Sequence, residues 1–185
     1  MGKVAVRQRV ALSPADALRL WTDVSRWPTF VDGFARALRL DREWPQPGSQ
    51  LVWESVPRGR GRVTERVEAY DPGGRFATRV FEEQLSGAQT VEVARMEDEE
   101  GGTMTVLGLE YELQRFQGVL GRLADVLFIR RALRDSLRRT LRRFAIEARE
   151  DATLLLSRED ATPGGPRAGM PEAGQGDAGE ERRWT

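Results

Sequence analysis

The chain has 185 residues, of which 39% are hydrophobic and 31% charged, and its 29 basic and 29 acidic side chains give a formal net charge of zero. It contains neither cysteine nor histidine, which excludes disulfides, thiolate or imidazole metal ligands, cysteine nucleophiles and Ser-His-Asp triads. Acid or base chemistry would have to use Asp, Glu, Tyr, a water held by Arg, or the single lysine, Lys3.

The same composition bears on location and cofactors. The segment from Met1 to Val10 mixes basic residues with valines and lacks an apolar signal core. No run approaches the roughly 20 apolar residues that cross a bilayer. We therefore expect a cytoplasmic protein without a transmembrane segment. Because the chain has no histidine, no cysteine and no calcium-loop spacing among its acids, we also expect no metal and no cofactor.

Short-range patterns predict a strand followed by two short helices. Valines alternate with charged residues in the strand. Ser13-Pro14 is a typical N-cap and first helical position. Trp27-Pro28 marks the start of a second short helix after Ser25. In chain order, the three elements are expected at residues 3–12, 15–23 and 27–33.

The middle of the chain predicts antiparallel strands. Short runs with strand character are separated by turn signals such as Asp71-Pro72-Gly73-Gly74, Ser86-Gly87 and the acidic segment 97–102. Successive strands joined by short turns favour an antiparallel meander over parallel crossovers. The predicted strands cover residues 35–43, 50–56, 61–70, 75–83, 88–96 and 103–113.

A long amphipathic helix is predicted from Val119 to about Glu150. Its apolar residues recur three or four positions apart, so they share one face, and about thirty residues at about 1.5 Å each span roughly 45 Å. The other faces are rich in arginine, which predicts a solvated surface or a basic strip for an anionic membrane or acidic partner. The apolar face comprises Leu120, Leu123, Leu127, Leu133, Leu137, Leu141, Phe144 and Ala148, and the arginines are Arg130, Arg131, Arg134, Arg138, Arg139, Arg142, Arg143 and Arg149.

Composition divides the chain into one domain and a tail. Residues 161–185 are rich in Gly, Pro, Glu, Ala and Arg and cannot bury enough surface to offset the entropy of ordering. We predict a ligand-binding domain over residues 1–152 and a disordered tail over residues 153–185. The domain should be α+β, with a curved antiparallel sheet covered by the terminal helix. A gap between the sheet and the helix would hold a ligand.

The element order from Val4 to about Glu150 resembles that of the START-like and Bet v 1-like superfamily (SRPBCC), in its polyketide cyclase/dehydrase and lipid-transport branch. The likeness is carried by VAVRQRVALSPADALRLWTDVSRWPTFVDGF at residues 4–34, YDPGGRF at 70–76, GGT at 101–103 and the terminal amphipathic helix. The piece DVSRWPTF at 23–30 is the most specific. The resemblance implies a helix-grip fold, in which a sheet of about seven strands encloses an apolar cavity.

Strand alternation leaves two sets of residues that could face this cavity. The simplest core pattern turns the valines of strand 61–70 inward. The resemblance implies instead that polar residues of the opposite parity line the cavity, with Glu68 where aromatase/cyclase relatives carry a catalytic arginine. With Trp53 and Tyr111 added as wall aromatics, the ligand-binding candidates are Trp27, Phe34, Trp53, Arg66, Arg79, Phe81, Thr90, Glu92 and Tyr111.

These features predict binding of a small hydrophobic molecule, a lipid or a polyketide-like compound, without chemical change. The alternative is a polyketide aromatase/cyclase or dehydratase, in which an arginine binds a carbonyl or enolate oxygen and a desolvated glutamate moves a proton. The acid at position 68 counts against the arginine-dependent aromatase activity. The catalytic candidates for this alternative are Arg66, Glu68, Arg79 and Glu92.

A third hypothesis makes the arginine-rich helix a contact surface for an anionic membrane or an acidic partner. Sequence-specific nucleic-acid binding is not expected, because no aromatic platform interleaves the arginines. The sequence leaves the oligomeric state and the identity of the ligand open.

Overall fold

The computed structural model describes residues 2–82, 85–97, 103–116 and 123–160. Within these residues the chain forms seven strands, three α-helices and a 3-10 turn at Val24–Arg26. The strands are β1 (Gly2–Val10), β2 (Phe34–Leu40), β3 (Gln50–Ser55), β4 (Arg62–Asp71), β5 (Arg75–Phe81), β6 (Leu85–Glu97) and β7 (Thr103–Phe116), and the helices are α1 (Pro14–Thr22), α2 (Trp27–Phe30) and α3 (Leu123–Asp160).

The strands form one sheet in the order β1-β7-β6-β5-β4-β3-β2, with every neighbouring pair antiparallel. Strands β2 to β7 are a meander, because each pairs with the next along the chain, and β1 joins this meander beside β7. Helix α3 packs against the sheet, chiefly on β1, and against α2. The predicted α+β helix-grip fold is confirmed.

One face of the sheet forms the core because its strands place apolar side chains at every second position. In β4, Val63 and Val67 are buried, whereas Arg66 and Glu68 are exposed. The strand register preserves this alternation across the sheet, because residues that point inward pair with residues that point inward on the neighbouring strand. Buried residues of the other strands include Val4, Leu51, Trp53, Phe76, Val80, Val91, Leu107 and Leu109.

Helix α1 begins as predicted. The Asp16 backbone N–H donates to the Ser13 hydroxyl at 3.2 Å, and Pro14 occupies the first helical position, where no backbone donor is needed. The helix then turns Leu18 and Trp21 into the core, where both are almost fully buried.

An aromatic cluster of Trp21, Phe30 and Phe144 joins the short helices to α3. Ring centroids lie 5.6 Å apart for Trp21 and Phe30, 5.4 Å for Trp21 and Phe144, and 5.1 Å for Phe30 and Phe144. Arg26 adds a polar link, since its Nε donates to Glu147 Oε1 at 2.8 Å. The same guanidinium reaches Asp151 Oδ1 at 3.3 Å. The N-terminal helices are therefore fixed to α3 by both packing and charge.

Several element bounds differ from the sequence-based expectations, and two of the differences concern α3 and β6. Helix α3 continues past the predicted domain boundary at residue 152 to Asp160, and the rest of the predicted tail, residues 161–185, lies outside the described residues. The predicted turn at Ser86-Gly87 is wrong, because both residues belong to β6. A Cβ on Gly87 would lie 2.6 Å from a ring carbon of Tyr111. This glycine therefore admits an aromatic ring and does not mark a turn.

Candidate functional site

A cleft of about 710 Å³ lies between the sheet and α3, at the end of the sheet that carries the β3–β4 loop, residues 56–61. We call its two main sides the sheet wall and the helix wall. The sheet wall consists of Phe34, Ser55, Val56, Arg58, Gly59, Arg60, Glu82 and Tyr111; the helix wall consists of Ala132, Leu133, Ser136, Arg139 and Arg143; and Pro28, Val31, Asp32 and Gly33 join the two. The predicted gap between sheet and helix is therefore present.

Arg60, Glu82 and Tyr111 bring polar groups together on the sheet wall. Arg60 Nη1 lies 3.3 Å from Glu82 Oε1, and the Glu82 side chain is only 5% exposed. Burial raises the pKa of Glu82, and the Arg60 guanidinium opposes this rise. The Tyr111 hydroxyl is buried and has no hydrogen-bond partner among the described residues. Burial, and to a smaller extent Glu82, raises the pKa of Tyr111, so its phenol keeps its proton and remains a donor.

Glu65 is a buried carboxyl beside the cleft. Trp53 Nε1 donates to its Oε1 and Thr78 Oγ1 donates to its Oε2, both at 3.1 Å. Burial raises the pKa of Glu65 although these two hydrogen bonds lower it. An internal void of about 20 Å³, large enough for one water, touches Glu65 and adjoins the cleft at Arg60.

Asp32 joins the helix wall to the loop that precedes β2. Its Oδ2 accepts from Ser136 Oγ at 2.9 Å and from Arg139 Nη2 at 2.8 Å, while Arg143 Nη1 lies 3.5 Å from its Oδ1. Its backbone N–H donates to Thr140 Oγ1 at 3.0 Å. Partial burial would raise the pKa of Asp32, but the hydrogen bonds from Arg139 and Ser136 lower it overall. The carboxylate therefore stays ionised and holds this edge of the cleft in place.

Positive charge exceeds negative charge around the cleft. Four of its lining residues are arginines, whereas Asp32 and Glu82 are the two acids among them. Glu82 is paired with Arg60, and Asp32 is shared between Arg139 and Arg143. The remaining excess of positive charge lies at the rim, with Arg58 exposed on the β3–β4 loop.

Four of the five aromatic residues predicted to bind a ligand lie on the inner side of the sheet, and the fifth, Phe81, does not. Phe34 and Tyr111 line the cleft, and Trp27 and Trp53 line the adjoining void. All four side chains are at least nine-tenths buried.

Of the two strand parities left open, the polar one that the resemblance implies does not face inward. Arg79 Nε donates to Glu68 Oε1 at 2.6 Å, with both side chains 40% exposed, and Phe81 is 45% exposed. The cause is the valine pattern, which turns the residues of the opposite parity away from α3. The predicted candidates that lie on the outer face, by exposure or by strand alternation, are Arg66, Glu68, Arg79, Phe81, Thr90 and Glu92.

Arg60, Glu65, Glu82 and Asp32 were not among the residues predicted from the sequence. Glu65 carried a usable signal, since an acid at the same parity as Val63 and Val67 must be buried with them. No comparable signal marks Arg60 or Asp32. Arg60 pairs with Glu82 and Asp32 pairs with Arg139, and each partner is distant in sequence and comes close only through the fold.

The described residues give no sign of a metal site or a membrane span. No group of three or more acidic side chains among them could hold a metal ion. None of the helices described is long and apolar enough to cross a membrane.

The sequence matches a family model described as polyketide cyclase / dehydrase and lipid transport over residues 1–149. No curated protein matches it.

Solved structures resemble the fold at low sequence identity. A START superfamily protein from Mycobacterium smegmatis has a TM-score of 0.61 and 12% identity, covering 80% of this chain and 97% of its own. The protein XoxI from Bacillus cereus has a TM-score of 0.60 and 10% identity, and the match covers 80% of this chain and 96% of XoxI. A protein from Chromobacterium violaceum has a TM-score of 0.55 and 12% identity, and the match covers 80% of this chain and 98% of that protein. At these identities the likeness concerns the fold alone.

Proposed function

The chain belongs to the polyketide cyclase/dehydrase and lipid transport family, and on this premise we propose that its cleft binds a small hydrophobic molecule, lipid-like or polyketide-like, and releases it unchanged. The observation that supports this proposal is the cleft between sheet and helix. Its volume of about 710 Å³ falls within the roughly 300–1,000 Å³ usual for small-molecule sites.

The lining divides into surfaces for two parts of a ligand. Val31, Phe34 and Leu133 supply apolar contacts for its body. Arg60 and Tyr111 supply hydrogen-bond donors on one wall, which would fix its orientation. This combination suits an apolar molecule that carries at least one polar group.

Filling the cleft should weaken binding. In Leu133→Trp the indole would enter space on the helix wall that a ligand needs, so we expect at least a tenfold loss of affinity, equivalent to about 1.4 kcal/mol. The matched control is Ile146→Trp, which adds the same ring to α3 at a side chain that is 57% exposed and outside the cleft. Equilibrium dialysis against a panel of fatty acids and polycyclic ketones would measure both affinities.

Native mass spectrometry of the purified protein provides an independent check, because a tightly held ligand should appear as added mass in the wild type and disappear in Leu133→Trp. Equal affinities for the two tryptophan variants would contradict binding in this cleft. So would the absence of any saturable ligand in the panel.

A polyketide cyclase or dehydratase acting in the same cleft is the second candidate, and the Arg60–Glu82–Tyr111 group favours it. Arg60 and Tyr111 could donate to a developing enolate oxygen, while Glu82, whose pKa burial raises, could carry the proton. These residues would replace the outer-face candidates Arg66, Glu68, Arg79 and Glu92.

The two functions predict different results for Glu82→Gln. Under the catalytic proposal, the variant should lose turnover of a supplied poly-β-ketone while still binding a stable aromatic ketone. If the wild type leaves the poly-β-ketone to cyclise at the rate seen in buffer, the catalytic proposal fails and the binding proposal stands.

A further inference from the structure

The side of α3 that faces away from the core is dominated by arginine. Ten side chains between Arg131 and Glu150 are exposed, and seven of them are arginines. We call these seven the arginine surface; they are Arg131, Arg134, Arg138, Arg139, Arg142, Arg143 and Arg149. Because basic and acidic side chains balance over the whole chain, positive charge is concentrated on this side of the molecule.

Nearby acids offset only part of this charge. Asp32 is shared between two of the arginines, Asp135 lies 3.9 Å from a third, and Glu150 is the one exposed acid of the span. Glu147, which lies in the same span, is bound by Arg26. Seven arginines against three acids leave an excess of four positive charges. The arginines that form no ion pair with an acid among the described residues are Arg131, Arg134, Arg142 and Arg149.

Helical spacing arranges five of these arginines in one row. They are separated by three, four, four and seven positions, which places them on one side of α3: Arg131, Arg134, Arg138, Arg142 and Arg149. At about 1.5 Å per residue the row is about 27 Å long. Arg139 and Arg143 lie beside the row and also line the cleft. The arginine surface therefore extends from the outside of α3 to the edge of the cleft.

The distribution of this charge favours a lipid bilayer over other polyanions. The arginines are spread along and around a convex helix, so a protein partner would need carboxylates matched to each position, whereas anionic headgroups in a fluid bilayer can diffuse to them. A single-stranded nucleic acid would need aromatic side chains for base stacking, and none of the ten exposed residues is aromatic.

Attachment to a bilayer at this surface would be electrostatic. The apolar side of α3 is already packed in the core, where Leu137, Leu141 and Phe144 are buried, so the helix has no free apolar face to insert among the acyl chains. Each arginine near an anionic bilayer contributes about fivefold to the affinity. The attraction falls off within a Debye length, so it is sensitive to salt.

We propose that the arginine surface docks the protein on an anionic lipid bilayer, with the edge of the cleft at Arg139 and Arg143 next to the headgroups. Helix α3 stays packed on the sheet, and the contact is peripheral and reversible. Docking does not depend on what the cleft binds. If the cleft binds the apolar ligand proposed above, the bilayer is the phase with which that ligand exchanges.

Sedimentation of the full chain with lipid vesicles tests this docking. The wild type should bind vesicles that contain about one quarter phosphatidylglycerol at least tenfold more tightly than vesicles of phosphatidylcholine alone, because the excess positive charge acts only on the anionic surface. Raising the NaCl concentration from about 0.05 M to about 0.5 M should remove most of this preference, since the Debye length shortens.

A triple variant removes three charges from the row without changing a residue that lines the cleft: Arg134→Gln, Arg138→Gln and Arg142→Gln. We expect it to bind the anionic vesicles about a hundredfold more weakly, at about fivefold for each arginine, and to retain its ligand affinity in dialysis. The matched control removes the same charge from exposed positions on the outer face of the sheet and should bind vesicles as the wild type does: Arg62→Gln, Arg66→Gln and Arg75→Gln.

Equal binding of the wild type to the two kinds of vesicle, or equal losses in the two triple variants, would overturn the docking proposal and leave the ligand-binding proposal untouched. A preference for soluble poly-glutamate or duplex DNA over the anionic vesicles, at equal concentrations of charge, would assign the surface to an acidic protein or a nucleic acid and would also overturn it. Vesicle binding that follows the arginine row, in a protein that binds no ligand of the panel, would support docking while removing the proposed function.

Discussion

Replacing Phe144 by alanine is expected to lower the free energy of unfolding by about 3–5 kcal/mol. The side chain is fully buried and contacts both Trp21 and Phe30 at ring-centroid distances of 5.4 Å and 5.1 Å. Its removal would leave a cavity between α3, α1 and α2, and the large rings around it can collapse only partly into the space.

Urea unfolding followed by tryptophan fluorescence would measure the change, because Trp21 lies in the perturbed cluster. A loss of this size corresponds to a decrease of about 6–20 °C in melting temperature for a chain of this length. Ile146→Ala is the control on the same helix, at a side chain that is 57% exposed, and surface substitutions usually change stability by less than about 0.5 kcal/mol. If Phe144→Ala were as mild as the control, α3 would not be held by this cluster.

The fold could be predicted because its signals are local and repeated. The Ser13-Pro14 cap, the valine alternation in β4 and the apolar stripe of α3 each specify one element within a short window. Antiparallel order followed from the short turns between strands. The turn predicted at Ser86-Gly87 failed for a reason outside that window, since Gly87 is needed by the ring of Tyr111 on a neighbouring strand.

The site was less predictable because its polar contacts are long-range. The aromatic residues Phe34 and Tyr111 were selected correctly as residues on the inner side, since large aromatics in strands belong to the core. The charged candidates failed because they came from the family resemblance, whereas the valine pattern of strand 61–70 turns their parity outward. The pairing of Arg60 with Glu82 joins a loop to the end of another strand, and no spacing rule anticipates it.

Glu65 is buried because it shares the parity of the valines, and its burial affects stability. We expect Glu65→Gln to remove a pH dependence of the free energy of unfolding that the wild type has. In the folded protein the pKa of Glu65 is raised by burial, whereas in the unfolded chain the carboxyl titrates near its usual value of 4.5. Between those two values the folded state holds a proton that the unfolded state has released. The free energy of unfolding therefore falls as the pH rises from about 4.5 towards the folded-state pKa, by about 1.4 kcal/mol per pH unit.

The glutamine side chain cannot titrate, and it can keep both hydrogen bonds. Its carbonyl can accept from Trp53 Nε1, and its amide can donate to the Thr78 hydroxyl, which is free to rotate. We therefore expect Glu65→Gln to be more stable than the wild type at pH 8, with the two stabilities converging as the pH is lowered towards 4.5.

Urea titrations at intervals from pH 4.5 to pH 8.5 would test this expectation through the difference between the two proteins. Glu82, whose pKa is also raised, titrates in both proteins and so cancels to first order. Asp32, whose pKa is lowered from its ordinary 3.8, contributes below this range. Parallel stability curves would mean that Glu65 is ionised in the folded state, and the cleft would then carry an extra negative charge beside Arg60.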